Sequence, residues 1–215
     1  MAMEEVRTLE KIGVMGGTFD PIHNGHLLMG ECARDQLGLD QILYMPLKRP
    51  PHKEEDNVSG ESHRAAMVKL AIASNPAFSF SDMELKRSGT TYTADTLQQL
   101  KQERKDAAFY FIMGTDSYLS LENWKNPEKI FSLCTVAVVS RNGVTIEEME
   151  KKGNFYKEKY QGSTAFVQMP TIEISSSGIR SHREKGNSIR YLVPEVVLQY
   201  IEEHNLYHAR QDSGI

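Results

Sequence analysis

The sequence is poor in cysteine and tryptophan and contains no long apolar run. Of its 215 residues only two are cysteine, and Cys32 and Cys134 belong to no C-x-x-C pair. Two buried thiols in a reducing cytosol are therefore the favoured interpretation, with a single disulfide as the alternative. No stretch is apolar over the roughly 20 residues that a transmembrane helix needs, which argues against a membrane-spanning protein.

The chain also lacks an excess of positive charge. It has 25 Lys and Arg residues against 29 Asp and Glu, which gives a formal net charge of -4. A long nucleic-acid duplex is disfavoured as a partner, because binding along a phosphate backbone requires a broad excess of basic residues. A mononucleotide needs only a few local cations. The charged first ten residues lack the apolar core of a signal peptide, so we expect a cytoplasmic protein that binds neither nucleic acid nor a membrane.

What the sequence does contain is an alternation of short apolar runs with longer segments of helical spacing. This alternation predicts an α/β fold, with a doubly wound, mostly parallel sheet, helices on both faces and a C-terminal helical part. The length suits a single domain, which we place at 11–208 between a solvated leader (1–10) and a tail (209–215). The predicted strands are Lys11–Met15, Gln41–Met45, Phe78–Met83, Ala108–Met113, Thr135–Ser140 and Ala165–Met169. The predicted helices are Gly25–Leu37, Ser62–Ser74, Ala94–Arg104, Pro127–Ser132, Ile146–Tyr160, Ser177–Lys185 and Pro194–Asn205.

The segment that follows the first strand is the first place to look for a site, because such sheets bind ligands beyond the carboxyl ends of their strands. It reads Gly16-Gly17-Thr18-Phe19-Asp20-Pro21-Ile22-His23-Asn24-Gly25-His26. The two glycines allow the backbone to approach a ligand closely, and the next helix offers free amides and its positive dipole end. His23 and His26 are three residues apart, so both imidazoles can face one side. Together these features favour a polyphosphate site.

Other interpretations of this segment have less support. A metal site would use His23 and His26 as ligands, as in a zinc-dependent hydrolase, but no nearby cysteine or H-E-x-x-H pattern completes it. The segment matches neither G-x-x-x-x-G-K-[ST] nor G-x-G-x-x-G. A P-loop ATPase and a classical dehydrogenase are therefore disfavoured.

A second candidate phosphate-binding segment lies near the C-terminus, at Ile174–Arg180. It places three serines, Ser175, Ser176 and Ser177, before a predicted helix, and Arg180 within its first turns. Serine hydroxyls and first-turn amides can donate to phosphate oxygens, and an arginine can form a bidentate contact. The structural alternative is that the serines are ordinary helix N-caps and that Arg180 is solvated.

The first of these segments resembles the Gly-Gly-Thr-Phe-Asp-Pro-x-His-x-Gly-His hallmark of the nucleotidylyltransferase superfamily. The run His23–Met29 is similar to the bacterial nicotinate mononucleotide adenylyltransferases in particular. The second segment resembles their Ile-Ser-Ser-Thr-x-Ile-Arg element, with Ser177 in place of the usual threonine. The resemblance covers about Ile12 to Tyr207 and implies a Rossmann-like nucleotidylyltransferase fold.

The middle of the chain extends the resemblance toward an acceptor site. Pro50-Pro51-His52-Lys53 resembles a Pro-Pro-His-Lys element in which Lys53 reaches a phosphate, although an exposed loop lysine is commoner. Thr93 matches a threonine beside the nicotinate carboxylate, and a helix N-cap is its structural alternative. Gly114-Thr115-Asp116 matches a Gly-x-Asp that contacts a ribose. Trp124, the only tryptophan, matches a residue that stacks on the nicotinate ring; otherwise it would be taken for a packing residue.

The resemblance implies transfer of AMP from ATP to nicotinic acid mononucleotide, with pyrophosphate as the second product. Mg²⁺ would bridge the ATP phosphates, without a dedicated protein metal site. The alternatives are nicotinamide mononucleotide or phosphopantetheine as acceptor, and a non-catalytic ATP-binding sensor; a homo-oligomer is left open. The implied catalytic residues are His23, His26 and Arg180. The implied ATP-binding residues are Gly16, Gly17, Thr18, Phe19, Ser175, Ser176 and Ser177. The implied acceptor-binding residues are Lys53, Thr93, Gly114, Asp116 and Trp124.

Overall fold

Six parallel strands form one sheet at the centre of the protein, in the order β3-β2-β1-β4-β5-β6. The structure is a computed structural model, and it describes residues 9–48, 58–140 and 145–208. This strand order is that of a Rossmann-like doubly wound sheet, which confirms the predicted fold class. The strands are β1 (Glu10–Gly17), β2 (Gln41–Pro46), β3 (Phe78–Phe80), β4 (Ala107–Gly114), β5 (Thr135–Ser140) and β6 (Thr164–Gln168).

Helices cover both faces of the sheet and make two apolar cores. On one face Met29, Met67 and Ile201 pack against the sheet, and on the other Leu97, Ile130 and Tyr156 do so. Successive strand residues point to opposite faces, so the four central strands β2, β1, β4 and β5 each contribute to both cores. The helices are α1 (Asn24–Leu37), α2 (Glu61–Ile72), α3 (Thr93–Glu103), α4 (Thr115–Leu119), α5 (Pro127–Leu133), α6 (Ile146–Tyr160), α7 (Ser176–Glu184) and α8 (Glu195–Glu203).

Several helix ends follow directly from local chemistry. Thr145 and Glu148 form a capping box at the start of α6, in which each side chain accepts from the other residue's backbone N–H. At the end of α7, Gly186 adopts a left-handed conformation with φ of +74°. Its N–H donates to Arg183 O at 2.9 Å, and the N–H of Asn187 donates to His182 O at 2.9 Å. This is a Schellman motif, which satisfies the last carbonyls of α7.

Three details differ from the predicted elements. β3 ends at Phe80 rather than Met83, because Ser81 accepts the N–H of Met83 with its own hydroxyl and turns the chain. α3 begins at Thr93, with Tyr92 as its N-cap, so Thr93 is not the N-cap. The short helix α4 and a 3-10 turn at Leu121–Asn123 were not predicted, because five-residue and three-residue helices show no full apolar period.

The two cysteines are free thiols, as the favoured interpretation predicts. Cys134 is buried, whereas Cys32 is partly exposed. Burial raises the pKa of the Cys134 thiol to about 12, so it is protonated and unreactive at neutral pH. None of the helices in the described ranges combines the length and apolar character needed to cross a bilayer.

The fold brings the carboxyl ends of β1 and β4 together at the point where the strand order reverses. β1 pairs with β2 on one side and with β4 on the other. The crossover after β1 goes to β2, and the chain later returns to the opposite side of β1 as β4. Two connecting segments therefore leave in opposite directions and open a crevice between Gly16 and Gly114, where ligands of this sheet type bind.

Candidate active site

A cleft of about 530 Å³ occupies this crevice. Its walls come from the end of β1, the first turns of α1, the end of β4 with α4, and the segment Met169–Ser175. Only the ends of the segment Met169–Ser175 belong to predicted elements, since nothing in its sequence indicates that it forms a wall of a cleft. Six of the predicted site residues line this one cleft: Gly16, His26, Gly114, Asp116, Trp124 and Ser175.

A smaller cavity of about 70 Å³ adjoins the cleft. It is lined by Thr93 together with Glu84 and Thr96, which the sequence did not single out. Trp124 lines both spaces, so its indole stands at their boundary. The candidate acceptor residues therefore fall in two groups, with Asp116 in the cleft, Thr93 in the cavity and Trp124 between them.

The two motif histidines start helix α1. His23 is its N-cap, and the backbone N–H of His23 donates to Nδ1 of His26 at 3.3 Å. The rings stack with their centroids 3.6 Å apart and 23° between their planes. Because Nδ1 of His26 accepts this hydrogen bond, the neutral ring carries its proton on Nε2. His26 can therefore offer an N–H donor, while His23, only 2% exposed, packs behind it.

Phe19 supports His26 rather than facing the cleft. Its side chain is buried, and its ring meets the His26 ring edge-on with centroids 5.1 Å apart. A Cβ added to Gly17 would lie 3.0 Å from the Phe19 ring, so Gly17 makes room for this packing. Within the described residues the cleft lining includes Gly16 but not Gly17, Thr18 or Phe19. A direct ATP contact for these three residues stays a prediction.

The second candidate phosphate-binding segment, Ile174–Arg180, contacts the first one, Gly16–His26. The hydroxyl of Ser176 donates to Pro21 O at 3.0 Å, and Nη1 of Arg180 donates to Asp20 O at 2.7 Å. Ser175 is the N-cap of α7, where its Oγ accepts the N–H of Gly178. The N-cap alternative is thus correct for Ser175, and the same residue also lines the cleft. Ser177 is exposed beside it, with the two hydroxyl oxygens 3.3 Å apart.

Asp20 lies at the centre of these contacts, although it was not among the predicted site residues. It is fully buried, and its carboxylate accepts hydrogen bonds from Ser59 N and from the Tyr207 hydroxyl. Nη1 of Arg180 lies 3.9 Å from the same carboxylate. Asp20 therefore holds together segments from both ends of the chain. Its position inside the hallmark run was the available signal.

Arg64 is a second buried residue that the sequence did not single out. Its guanidinium donates to four backbone carbonyls at 2.8–3.1 Å. Those carbonyls belong to Thr18 after β1, to Leu47 and Lys48 after β2, and to Ser59 before α2. Arg64 thus fixes the loops around the carboxyl ends of β1 and β2. The signal was a charged residue on the core side of a predicted helix.

The electrostatics of the cleft are mixed. Asp116 and Glu173 both line it, with His26 as its basic side chain among the described residues. No group of three or more His, Cys, Asp or Glu residues in the described ranges could hold a metal ion. Lys53, the cation predicted for the acceptor phosphate, lies outside the described residues. Oxygen atoms of isolated carboxylates and of phosphates are the ligands that Mg²⁺ prefers.

Comparisons with known proteins agree on one family. The Cytidylyltransferase-like family model matches residues 14–182. The chain is 42% identical over 199 residues to a Lachnoclostridium phytofermentans protein named "Probable nicotinate-nucleotide adenylyltransferase", covering 93% of this chain and 100% of the relative. A protein of the same name from Dehalococcoides mccartyi is 41% identical, with 93% and 98% covered.

A solved structure shares the fold. It is a Plasmodium falciparum nicotinic acid mononucleotide adenylyltransferase complexed with NaAD, with a TM-score of 0.76 over 92% of this chain and 97% of that chain. At 23% identity this likeness bears on the fold alone. The family itself rests on the sequence relatives and the family model: the chain belongs to the cytidylyltransferase-like proteins and, within them, to the nicotinate-nucleotide adenylyltransferases.

Proposed function

We propose that the chain transfers the AMP group of ATP to nicotinic acid mononucleotide, giving nicotinic acid adenine dinucleotide and pyrophosphate. The observation that carries the proposal is the cleft of about 530 Å³, in which His26, Ser175 and Trp124 meet. The lining includes Gly16, His26 and Ser175 from the two candidate phosphate-binding segments, and Gly114, Asp116 and Trp124 from the candidate acceptor residues. A cytoplasmic location is part of the proposal, and two free thiols suit a reducing compartment.

The reaction joins two phosphates and needs little covalent chemistry from the protein. A phosphate oxygen of the acceptor attacks the α-phosphorus of ATP in line, and the bond to the departing pyrophosphate breaks. The attacking oxygen is already anionic near neutral pH, so no strong general base is required. Transfers of this kind depend mainly on positioning and on stabilising the charge that develops on phosphate oxygens.

The proposed roles follow from the contacts of each residue. The Nε2–H of His26 donates to a phosphate oxygen, and Nδ1, which accepts from the backbone of His23, fixes the ring and its tautomer.

The first-turn amides of α7 and Ser175 take the remaining phosphates. Arg180, whose Nη1 donates to Asp20 O, turns from this contact to the phosphates when they bind. Thr93 and Trp124 hold the acceptor ring, Asp116 holds a ribose, and Lys53 a phosphate.

We propose that the ATP substrate is its magnesium complex, in which the ion would neutralise charge on the polyphosphate. The nearby carboxylates of Asp116 and Glu173 are isolated oxygen donors on the cleft wall. Such donors suit an ion that keeps water and phosphate as its main ligands.

Pyrophosphate release from ATP and Mg²⁺ tests the proposal, with three acceptors assayed in parallel. These are nicotinic acid mononucleotide, nicotinamide mononucleotide and phosphopantetheine. We expect the highest kcat/KM with the first. A preference for either of the others would keep adenylyl transfer and replace the acceptor. Absence of release with all three, in a protein that still binds ATP, would favour the sensor alternative.

A further inference from the structure

The turn between β3 and α3 carries a buried carboxyl group that the proposed reaction does not use. Glu84 is 4% exposed. Among the described residues no lysine or arginine lies within salt-bridge distance of it. Burying a carboxyl group is costly, and its hydrogen bonds must offset the loss of water. Burial raises the pKa of Glu84, while its two hydrogen bonds and the positive charge of Arg87 act in the opposite direction.

Two threonine hydroxyls supply those hydrogen bonds. Thr91 Oγ1 donates to Oε2 of Glu84 at 3.1 Å, and Thr96 Oγ1 donates to Oε1 at 2.6 Å. These threonines lie on either side of Thr93, two residues before it and three after it. The carboxyl group therefore holds both ends of the short segment that presents Thr93.

Arg87 extends this network to two other parts of the fold. Its Nη1 donates to Thr96 Oγ1 at 2.9 Å, and its Nη2 donates to Gln99 on α3 at 2.7 Å. The backbone carbonyl of Arg87 accepts from Nζ of Lys48, just after β2, at 2.6 Å. The turn that carries Glu84 is thus fixed to α3 and to the end of β2.

The network also reaches the cavity beside the cleft. Glu84, Thr93 and Thr96 line the same cavity of about 70 Å³ as the indole of Trp124. Glu84 is the only acidic residue among the described residues that line it. A ring that entered this cavity would have Trp124 on one side and the Glu84–Thr96 pair within the wall.

We propose that Glu84 is a positioning residue for the acceptor. By holding Thr91 and Thr96 it sets the location of Thr93 relative to Trp124, and this geometry determines whether a carboxylate or an amide on the pyridine ring is accepted. The inference rests on the proposed function and deepens it. Because the carboxyl group acts through the threonines, it need not touch the substrate.

The first test uses Glu84→Ala, Glu84→Gln and a control, Asp82→Asn. Asp82 lies on the same turn but is half-buried, and among the described residues its ion pair is with Lys86. For Glu84→Ala we expect the KM of nicotinic acid mononucleotide to rise by about tenfold or more, with the ATP KM constant within about twofold, because two buried hydroxyls lose their acceptor. The ratio of kcat/KM for nicotinic acid mononucleotide to that for nicotinamide mononucleotide should fall. The acceptor KM and the ratio for Glu84→Gln should lie between those of Glu84→Ala and the parent, and Asp82→Asn should match the parent in both.

Binding provides a readout that does not depend on turnover. Trp124 is the only tryptophan in the chain, so its fluorescence reports the candidate acceptor site without interference. Titration with nicotinic acid mononucleotide should give a higher Kd for Glu84→Ala than for the parent and the control. If Glu84→Ala does not fold, Thr91→Val serves instead, since it removes one hydroxyl at nearly constant volume and should change acceptor KM and Kd in the same direction.

The outcomes separate this inference from the proposed function. A parent protein that neither binds nor uses nicotinic acid mononucleotide overturns the proposed function, and the inference with it. A parent that uses it, with Glu84 variants whose acceptor KM, Kd and selectivity ratio are unchanged, overturns the inference alone. A parallel loss of ATP and acceptor binding, together with a lowered Tm, would assign Glu84 to general stability and also overturn it.

Discussion

The hydroxyl of Tyr207 donates a hydrogen bond of 2.6 Å to the carboxylate of Asp20, across 187 positions of the sequence. Asp20 belongs to the loop after β1, and Tyr207 follows the last helix. The backbone carbonyl of Asp20 also accepts from Arg180. The last part of the described chain therefore holds the loop against which the candidate catalytic arginine rests.

Tyr207→Phe tests this contact through the dependence of stability on pH. Burial, together with the charge of Asp20, raises the pKa of Tyr207 well above its ordinary value of 10.0. The folded state thus keeps a proton that the unfolded chain releases. The contribution of Tyr207 to the free energy of unfolding is therefore complete below about pH 10 and is lost as the pH rises above it. We expect Tyr207→Phe to lower the free energy of unfolding by about 1–3 kcal/mol at pH 8. In urea titrations, the free energy of unfolding of Tyr207→Phe should also fall less between about pH 8 and about pH 11 than that of the parent. Equal losses in both proteins would contradict the assignment.

His26 substitutions separate the two nitrogen atoms of its ring. His26→Ala should lower kcat by roughly a hundredfold or more, the scale of losing one preorganised donor. His26→Gln can place an amide N–H near the Nε2 position, whereas His26→Asn can replace only the acceptor near Nδ1. We therefore expect Gln to retain more activity than Asn, measured by steady-state pyrophosphate release. His204→Ala, at the exposed C-cap residue of α8, is the control. Unchanged turnover in a folded His26→Ala protein would remove this residue from the mechanism.

Trp124→Ala should act on the acceptor. The indole lines the cavity that also contains Thr93, and its removal takes away a stacking surface. We expect a higher KM for nicotinic acid mononucleotide and a nearly constant KM for ATP, with Trp124→Phe retaining most of the affinity. A selective loss of ATP affinity instead would show that the indole serves the other substrate.

Arg64 substitutions test the loop anchor. Arg64→Met leaves four partly buried carbonyls without their donor, and we expect it to lower the free energy of unfolding by at least about 3 kcal/mol. Arg64→Lys keeps the charge but not the planar set of donors, so it should recover only part of the loss. Thermal unfolding of the three proteins at matched pH provides the measurement. Equal stability of the Lys variant and the parent would mean that charge, not geometry, is what the site requires.

Gly30→Ala tests the close approach of α1 to β2. A Cβ at Gly30 would overlap the Tyr44 hydroxyl, which donates to His26 O. Overpacking of this kind costs about 1–3 kcal/mol. We expect Tyr44→Phe to recover part of that loss, because it removes the oxygen with which the methyl collides. A double-mutant cycle on the free energy of unfolding measures the coupling, and simple additivity would argue against the contact.

The sequence predicted the fold well because its elements carry local signals. The apolar runs of β1, β2, β4 and β5 are buried strands flanked by longer amphipathic segments, and this alternation leads directly to a parallel sheet. Most of the predicted residues that line the cleft belong to a short run with glycine, histidine or serine that comes after a strand. Such runs combine backbone freedom with side-chain chemistry at a place that the topology already favours.

The sequence did not predict the residues that act through long-range packing. Nothing near Arg64 indicates that its side chain meets carbonyls from two separate loops, and nothing near Glu84 indicates a cavity. Both are charged residues whose burial is decided by elements far away in the chain. The split of the acceptor residues between two spaces was hidden for the same reason, since it depends on where Trp124 lies in three dimensions.

The position of Trp124 at the boundary of two spaces links the proposed binding of the two substrates. A ligand in the small cavity and a ligand in the cleft would both lie against Trp124, which lines both spaces. Any shift of the ring on binding one of them changes the free energy of binding the other, and this coupling is equal in both directions. Each substrate should therefore alter the Kd of its partner by the same factor, in a protein that needs no second subunit or separate regulatory site to produce cooperativity.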